Sequence, residues 1–234
     1  MTIPSDVHLT IGGIIFPKMD QCDFTGPFEA LARVPNSTFV TLWKDRLPVR
    51  DMAGMQLLAD TTFDEAPQLD VLLVPGGYGQ EALMADEEVL GFIRRQAASA
   101  RYVYSVCTGA LLCGAAGLLH GKRATTHWTA MDVLPYFGAI PSDDRVVIDG
   151  KYVSAGGVTS GIDGSLIMAS LLRGETVAQE LQLYMNYDPQ PPFNAGSPKT
   201  APASILDAVT QRAAPITTQR LATAKAYQQK SERR

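Results

Sequence analysis

The chain has 234 residues, of which 46% are hydrophobic, so it is long enough to bury one sizeable core. A net charge of −4 and a pI near 5.4 argue against a nucleic-acid-binding surface. The three cysteines are scattered and suggest neither a disulfide framework nor a metal site, which favours a reducing, cytoplasmic compartment. We identify no signal peptide, and no apolar run approaches the roughly 18 residues that span a membrane.

Strands and helices alternate through the first part of the chain. The predicted elements are strands over 8–16, 38–44 and 71–74, short strands within 49–60, and helices over about 25–33 and 87–98. Thr25 is the expected N-cap of the first helix, with Pro27 in its first turn. Gly76 and Gly77 follow the apolar strand Val71–Val74 and form either a backbone cradle for a ligand or an ordinary tight turn.

Cys107 stands where an apolar, β-rich run changes into an Ala- and Leu-rich run that ends at Gly117. The pattern Ser105-x-Cys107-x-Gly109 is a cysteine version of the nucleophile elbow, in which a strand turns sharply into a helix. The free N–H groups of that helix are expected to favour the thiolate. The alternative is a buried cysteine that only packs, which is the role we expect for Cys113.

The second part of the chain continues the alternation and then changes character. The predicted elements are a strand over 122–126, a short helix over 131–136, a hairpin of strands 145–148 and 152–154, and helices over 159–173 and 175–187. An extended, proline-rich segment follows Asp188, and a helix-prone stretch over 203–230 is interrupted by Pro215. We therefore predict one α/β domain over 1–188 and, over 189–234, an extended segment with a helical arm that packs on the same domain or on a partner subunit.

This alternation predicts a three-layer α/β fold with a mainly parallel sheet. Ligands in such folds bind beyond the carboxyl ends of the strands. Asp23, Gly77, Cys107 and His127 each follow a predicted strand directly, so the topology is expected to bring them together.

Four motifs together resemble the ThiJ/PfpI superfamily, the cysteine-elbow branch of the class I glutamine-amidotransferase-like folds. They are Asp23-x-x-Gly26-Pro27, Val74-Pro75-Gly76-Gly77, Ser105-Val106-Cys107-Thr108-Gly109 and Ala124-Thr125-Thr126-His127-Trp128. The resemblance covers almost the whole chain, and Asp23 with Cys107-Thr108 points to the branch that hydrates isonitriles. It implies a flavodoxin-like sandwich, a homodimer, a small isonitrile substrate, and no metal or organic cofactor.

The same resemblance implies a role for each residue of the site. Cys107 would attack the isonitrile carbon to give a thioimidate, and Asp23 would manage the proton, with a pKa raised by burial beside the sulfur. Backbone N–H groups of Gly77 and Thr108 would stabilise developing charge. Two alternatives remain open: Asp23 caps the helix that follows it, and the Thr108 side chain only forms hydrogen bonds at a helix start.

His127 and Gly156 are expected to support the site. A histidine at this place partners the cysteine in related branches, but a structural role beside Trp128 is the alternative. The Gly-rich segment 158–164 after Gly156 is expected to form either a mobile wall of the site or a close helix–sheet contact.

Two other functions compete with isonitrile hydration. A glyoxalase or deglycase acting on α-oxoaldehydes also needs a reactive cysteine and a carboxyl that transfers protons. A redox sensor would use the oxidation of an exposed thiol of low pKa. Binding to DNA is not expected, because the residues after Asp188 contain no basic recognition helix.

Overall fold

The structure is a computed structural model that describes residues 2–231. The strands, in chain order, are β1 (Leu9–Ile14), β2 (Ser37–Trp43), β3 (Val49–Arg50), β4 (Gln56–Leu57), β5 (Thr61–Thr62), β6 (Val71–Val74), β7 (Tyr102–Val106), β8 (Arg123–Ala124), β9 (Ile140–Pro141), β10 (Val146–Asp149) and β11 (Tyr152–Ala155). The helices are α1 (Cys22–Leu31), α2 (Gln80–Leu83), α3 (Glu87–Ser99), α4 (Gly109–Ala115), α5 (Ser160–Arg173), α6 (Glu175–Tyr184) and α7 (Ala203–Ser231), with a 3₁₀ helix over Trp128–Phe137.

A seven-stranded sheet with the order β10-β11-β7-β6-β1-β2-β5 forms the centre of the fold. Every pairing in it is parallel except that of β10 with β11, which form the predicted hairpin. Helices α1, α5 and α6 pack together as one layer, and α2, α3, α4, the 3₁₀ helix and α7 are linked in the other. The arrangement confirms the predicted three-layer, flavodoxin-like α/β fold.

The register of the central strands places their carboxyl ends at one edge of the sheet. Val74 at the end of β6 pairs with Ser105 near the end of β7, and Ala155 at the end of β11 pairs with Val106. Apart from Tyr102 at the start of β7, the apolar residues of β1, β6 and β7 are fully or almost fully buried, as expected for parallel strands covered on both faces. This packed sheet supports the turns that follow β6, β7 and β11.

The predicted start of the first helix is wrong. Helix α1 begins at Cys22, because the Asp20 carboxylate accepts the backbone N–H of Cys22 at 3.1 Å. Thr25 lies inside the helix, where its hydroxyl donates to Gln21 Oε1, and Pro27 lies beyond the first turn.

The predicted interruption at Pro215 is also wrong, because α7 continues through it. A proline removes only one helical hydrogen bond, and packing against the rest of the chain holds the helix on its C-terminal side. Thr217 donates to the backbone oxygen of Thr129, and Tyr227 stacks edge-on against Phe137. Residues 232–234 of the predicted arm lie outside the described residues. Within the described range, no helix has both the length and the apolar character needed to cross a membrane.

Candidate active site

Cys107 occupies the turn between β7 and α4 in a strained conformation, with a φ of 55°. Its backbone N–H donates to the carbonyl oxygens of Ala155 at 3.0 Å and Gly156 at 2.8 Å. Its own carbonyl accepts the Thr126 hydroxyl at 2.8 Å. These bonds fix a backbone conformation that costs a non-glycine residue of order 1–3 kcal/mol, a cost that clusters at functional sites. Cys113, by contrast, is buried within α4.

Asp23 points from the first turn of α1 to the turn after β6. Its Oδ2 accepts the backbone N–H of Gly76 at 3.0 Å, and the residue is fully buried. Its Oδ1 is also buried and has no partner of good hydrogen-bond geometry among residues 2–231. Asp23 therefore binds a different element from its own helix, and the capping interpretation is wrong.

The Asp23 carboxyl and the Cys107 thiol influence each other's titration. Burial, followed by the nearby Asp20 carboxylate, raises the pKa of Asp23 to about 8, while hydrogen bonds from Gly76 and Cys107 lower it. The rise through burial was expected from the sequence, but the like charge is that of Asp20 and not that of the sulfur. Burial and then the charge of Asp23 raise the pKa of the Cys107 thiol well above its usual range. The N–H of Thr108 opposes this shift but is outweighed, so the prediction of a favoured thiolate is wrong. At neutral pH the Asp23 carboxyl and the Cys107 thiol therefore both keep their protons.

Gly76 and Gly77 allow the turn after β6 to approach the elbow closely. A Cβ on Gly76 would lie 2.5 Å from the backbone nitrogen of Thr108 and 3.0 Å from Asp23 Oδ2. Gly77 has a φ of +120°, which side chains rarely adopt. The two glycines therefore do more than form an ordinary turn, because they bring the backbone against two of the predicted site residues.

Thr108 connects the elbow to the glycine turn through its side chain. Its Oγ1 accepts the backbone N–H of Gly77 at 3.2 Å and forms no capping bond at the start of α4. The expectation that this hydroxyl serves only a helix start is therefore wrong. The N–H of Gly77, predicted to stabilise charge on the substrate, is engaged by this hydroxyl, whereas the N–H of Thr108 acts on the Cys107 sulfur and lowers the pKa of that thiol.

His127 caps the 3₁₀ helix instead of pairing with the cysteine. Its Nδ1 bonds the Thr129 hydroxyl at 2.8 Å and accepts the Thr129 backbone N–H at 3.3 Å. Burial, followed by the positive charge of Arg220, lowers its pKa to about 4, so the ring is neutral at pH 7. The geometry supports the structural alternative for this histidine.

Gly156 supports the elbow through its carbonyl, and it is buried without being tightly packed. A Cβ there would meet no atom closer than 3.6 Å. The glycines of α5 differ, because a Cβ on Gly161 would lie 3.0 Å from Val106, and Gly164 lies directly against the Tyr104 ring. Close packing therefore explains Gly161 and Gly164 but not Gly156.

Three further residues of the site were not identified from the sequence. Thr126 holds the elbow carbonyl, as described above. Arg220 of α7 and Gln80 of α2 are both buried beside the glycine turn and bond to each other. Thr126 lies within the motif Ala124-Thr125-Thr126-His127-Trp128, although no role was predicted for it, whereas no signal in the helix-prone C-terminal stretch distinguishes Arg220 from its neighbours. Among residues 2–231, no group of three or more His, Cys, Asp or Glu side chains has a metal-binding arrangement.

Comparison with known proteins agrees with the geometry. A model of the DJ-1/PfpI family matches residues 11–169. An isonitrile hydratase from Pseudomonas putida is 54% identical over 207 residues, which cover 88% of this chain and 91% of the relative. Deglycase PfpI from Pyrococcus furiosus is 30% identical over 59% of this chain and 84% of its own length. The crystal structure of a ThiJ/PfpI family protein from Pseudomonas syringae superposes with a TM-score of 0.91 at 40% identity, covering 93% of this chain and 91% of that one.

Proposed function

The chain belongs to the DJ-1/PfpI family, and we propose that it is an isonitrile hydratase, which adds water to an isonitrile to give an N-substituted formamide. The observation that carries the proposal is the 54% identity to the Pseudomonas putida isonitrile hydratase over 88% of this chain. The geometry supports it, because the reaction needs a nucleophile and a proton donor at the same carbon. Cys107 and Asp23 supply these two groups.

In the first step the Cys107 sulfur attacks the terminal carbon of the isonitrile. The sulfur–carbon bond forms, Asp23 delivers its proton to the same carbon, and the carboxylate takes up the proton of the thiol. The product is a neutral thioimidate, R–N=CH–S–Cys. A carboxyl with a pKa of about 8 holds the required proton at neutral pH.

In the second step a water molecule attacks the thioimidate carbon. One proton of the water goes to the nitrogen, the carbon–sulfur bond breaks, and the other proton returns to the sulfur through Asp23. The N–H of Thr108 stabilises the sulfur while it carries negative charge. The formamide leaves, and the site regains its starting protonation without any further reactant.

Two other functions are less well supported. The similarity to Deglycase PfpI favours α-oxoaldehyde chemistry as the second candidate, but it covers 59% of this chain. A redox sensor needs an accessible thiolate, whereas Cys107 is 6% exposed and burial raises its pKa. We further propose, from the family resemblance, that the enzyme is a cytoplasmic homodimer.

The decisive experiment incubates the purified protein with a simple alkyl isonitrile. We expect the N≡C stretching band to disappear and the matching N-alkylformamide to form, as measured by mass spectrometry. A Cys107→Ala variant should fold and form no product, whereas Cys113→Ala should remain active. Formamide formation by folded Cys107→Ala would overturn the mechanism. Conversion of methylglyoxal to lactate, with no formamide from any isonitrile, would overturn the function in favour of the second candidate.

A further inference from the structure

Arg220 belongs to the C-terminal helix, yet its guanidinium is buried beside the candidate active site. The residue is 3% exposed. Its Nη2 donates to the carbonyl oxygen of Gly77 at 3.0 Å and, more weakly, to Thr108 Oγ1 at 3.4 Å, and its Nε donates to Gln80 Oε1 at 3.1 Å. All three acceptors are neutral oxygens. In the described part of the chain, no salt bridge includes Arg220.

A buried cation that has only neutral partners is costly for a fold. Moving a charge out of water is unfavourable unless an opposite charge compensates it, and mutual attraction repays that cost only when the geometry is good. Burial accordingly lowers the pKa of Arg220, and the largest opposing influence is the charge of the ionised Cys107 sulfur. A guanidinium that is kept in such a buried place indicates a neighbouring group that becomes negative during the reaction. The Cys107 sulfur is that group.

Gln80 holds the guanidinium in place. A guanidinium has only donors, so the amide oxygen of Gln80 must face Arg220. Its amide nitrogen is then left buried without a hydrogen-bond partner among residues 2–231. A fully buried amide that leaves one of its own groups unsatisfied contributes little stability by itself, so its orientation serves Arg220.

We propose that Arg220 is a positioning residue of the active site, which fixes the Gly77 carbonyl and the Thr108 hydroxyl and places a positive charge where the Cys107 sulfur becomes negative. The inference rests on the proposed attack by Cys107 but not on the identity of the electrophile. It makes α7 part of the catalytic machinery.

Several charged and titratable groups act on Arg220 and the Cys107 sulfur, and some favour the charged forms while others disfavour them. Asp23 of α1 disfavours a negative Cys107 sulfur, whereas Arg220 favours it. Glu81 of α2 and Tyr78, in the turn before it, lie close enough to Arg220 to favour its charged form. His127 is neutral at pH 7 and adds no charge there. Removal of Arg220 should therefore leave the Thr108 N–H as the remaining group that favours a negative sulfur, and make the thiolate harder to form.

The test measures how fast iodoacetamide alkylates Cys107 as a function of pH, with peptide mass spectrometry separating Cys107 from the other cysteines. We expect Arg220→Met to raise the midpoint pH of the alkylation-rate profile by about one pH unit or more, since an adjacent cation typically shifts the pKa of an acid by roughly 1–3 units. Arg220→Lys should restore part of the shift. Arg212→Met is the matched control, because Arg212 lies exposed on the same helix and should leave the midpoint unchanged.

An unchanged midpoint in a folded Arg220→Met protein would overturn the proposal and leave Arg220 with a purely structural role. If Arg220→Met does not fold, Gln80→Met decides the question, because it releases the guanidinium and should raise the midpoint by a smaller amount. No shift in that variant would also overturn the proposal. Alkylation uses no isonitrile, so these outcomes stand whether or not the protein forms a formamide.

Discussion

The backbone N–H of Gly76 donates a 3.0 Å hydrogen bond to Oδ2 of Asp23, which lies 53 positions earlier in the chain. The bond orients the carboxyl and engages one of its oxygens, while Oδ1 has no partner of good geometry among residues 2–231. One backbone donor does not keep the buried carboxyl ionised, because burial dominates and raises its pKa to about 8. Asp23 is therefore an oriented acid with one oxygen available for proton transfer.

Asp23→Asn should lower kcat for formamide formation by roughly 10²-fold or more, because an amide cannot deliver the proton. The amide oxygen can still accept the Gly76 N–H, so the fold should persist. Steady-state kinetics and a thermal melt measure the two effects separately. Asp23→Glu should be partly active at best, since its added methylene misplaces the carboxyl. A near-normal kcat for Asp23→Asn would reduce Asp23 to an orienting role.

The stability of the protein should depend on pH through Asp23. In the unfolded chain the carboxyl ionises near its ordinary pKa of 3.8, whereas in the folded protein it keeps its proton to about pH 8. A group that binds its proton more tightly when folded contributes stability below pH 3.8 that is lost as the pH rises through 8. The free energy of unfolding should therefore fall from pH 4 to pH 8 more steeply in wild type than in Asp23→Asn. Urea unfolding at several pH values measures both slopes, and equal slopes would contradict the raised pKa.

Much of the site follows from the position of its residues relative to the strands. Cys107 comes directly after an apolar strand, and the glycine turn follows another, so the parallel topology alone predicts that they meet. Asp23 was expected there because it follows the first strand, although the start of its helix was placed too late.

Arg220, by contrast, follows no strand, and the sequence gives no sign that it belongs to the site. It lies in a helix whose weak amphipathicity does not indicate which face is buried, and its partners Gly77 and Thr108 are far away in the sequence. The sign of the Cys107 shift was also missed, because the sequence reveals the favourable helix N-terminus but not the extent of burial. Both errors concern long-range packing, on which local propensity and motifs carry little information.

Thr108→Val should impair the protein more than Thr108→Ser does. Valine has nearly the same shape but removes the hydroxyl that accepts the Gly77 N–H, and an unsatisfied buried donor costs about 1–3 kcal/mol. Serine keeps the hydroxyl. We expect a lower melting temperature and a lower kcat for Thr108→Val, with Thr108→Ser close to wild type in both. Equal activities of the two variants would show that the methyl group, not the hydroxyl, matters.

His127→Asn should retain most of the activity. Asparagine is a good N-cap, and its side-chain oxygen can accept the Thr129 N–H that His127 Nδ1 accepts now. The measurement is kcat/KM as a function of pH, which should keep its wild-type shape. His127→Leu is the comparison, because it removes the cap and should lower the melting temperature. A collapse of activity in a stable His127→Asn protein would restore a dyad with Cys107.

The last prediction concerns the wall of the site after β11. The carbonyl of Gly156 accepts the N–H of Cys107 at 2.8 Å, and its N–H donates to the carbonyl of Arg145 at 3.0 Å. A Cβ on Gly156 would have ordinary contacts, 3.6 Å or more from the atoms around it, so Gly156→Ala should fold normally, and a thermal melt checks the bulkier Gly156→Thr. These ordinary contacts distinguish Gly156 from the tightly packed Gly161.

If the segment that begins α5 moves when the Cys107 thiol is converted to the thioimidate, a side chain at position 156 should hinder that movement. Gly156→Thr should then slow breakdown of the intermediate more than its formation, and pre-steady-state kinetics followed by intact-protein mass spectrometry resolve the two steps. Gly161→Ala is the control, since its Cβ would press on Val106 at 3.0 Å and should mainly lower the melting temperature. Unchanged breakdown of the intermediate in Gly156→Thr would show that the wall is static.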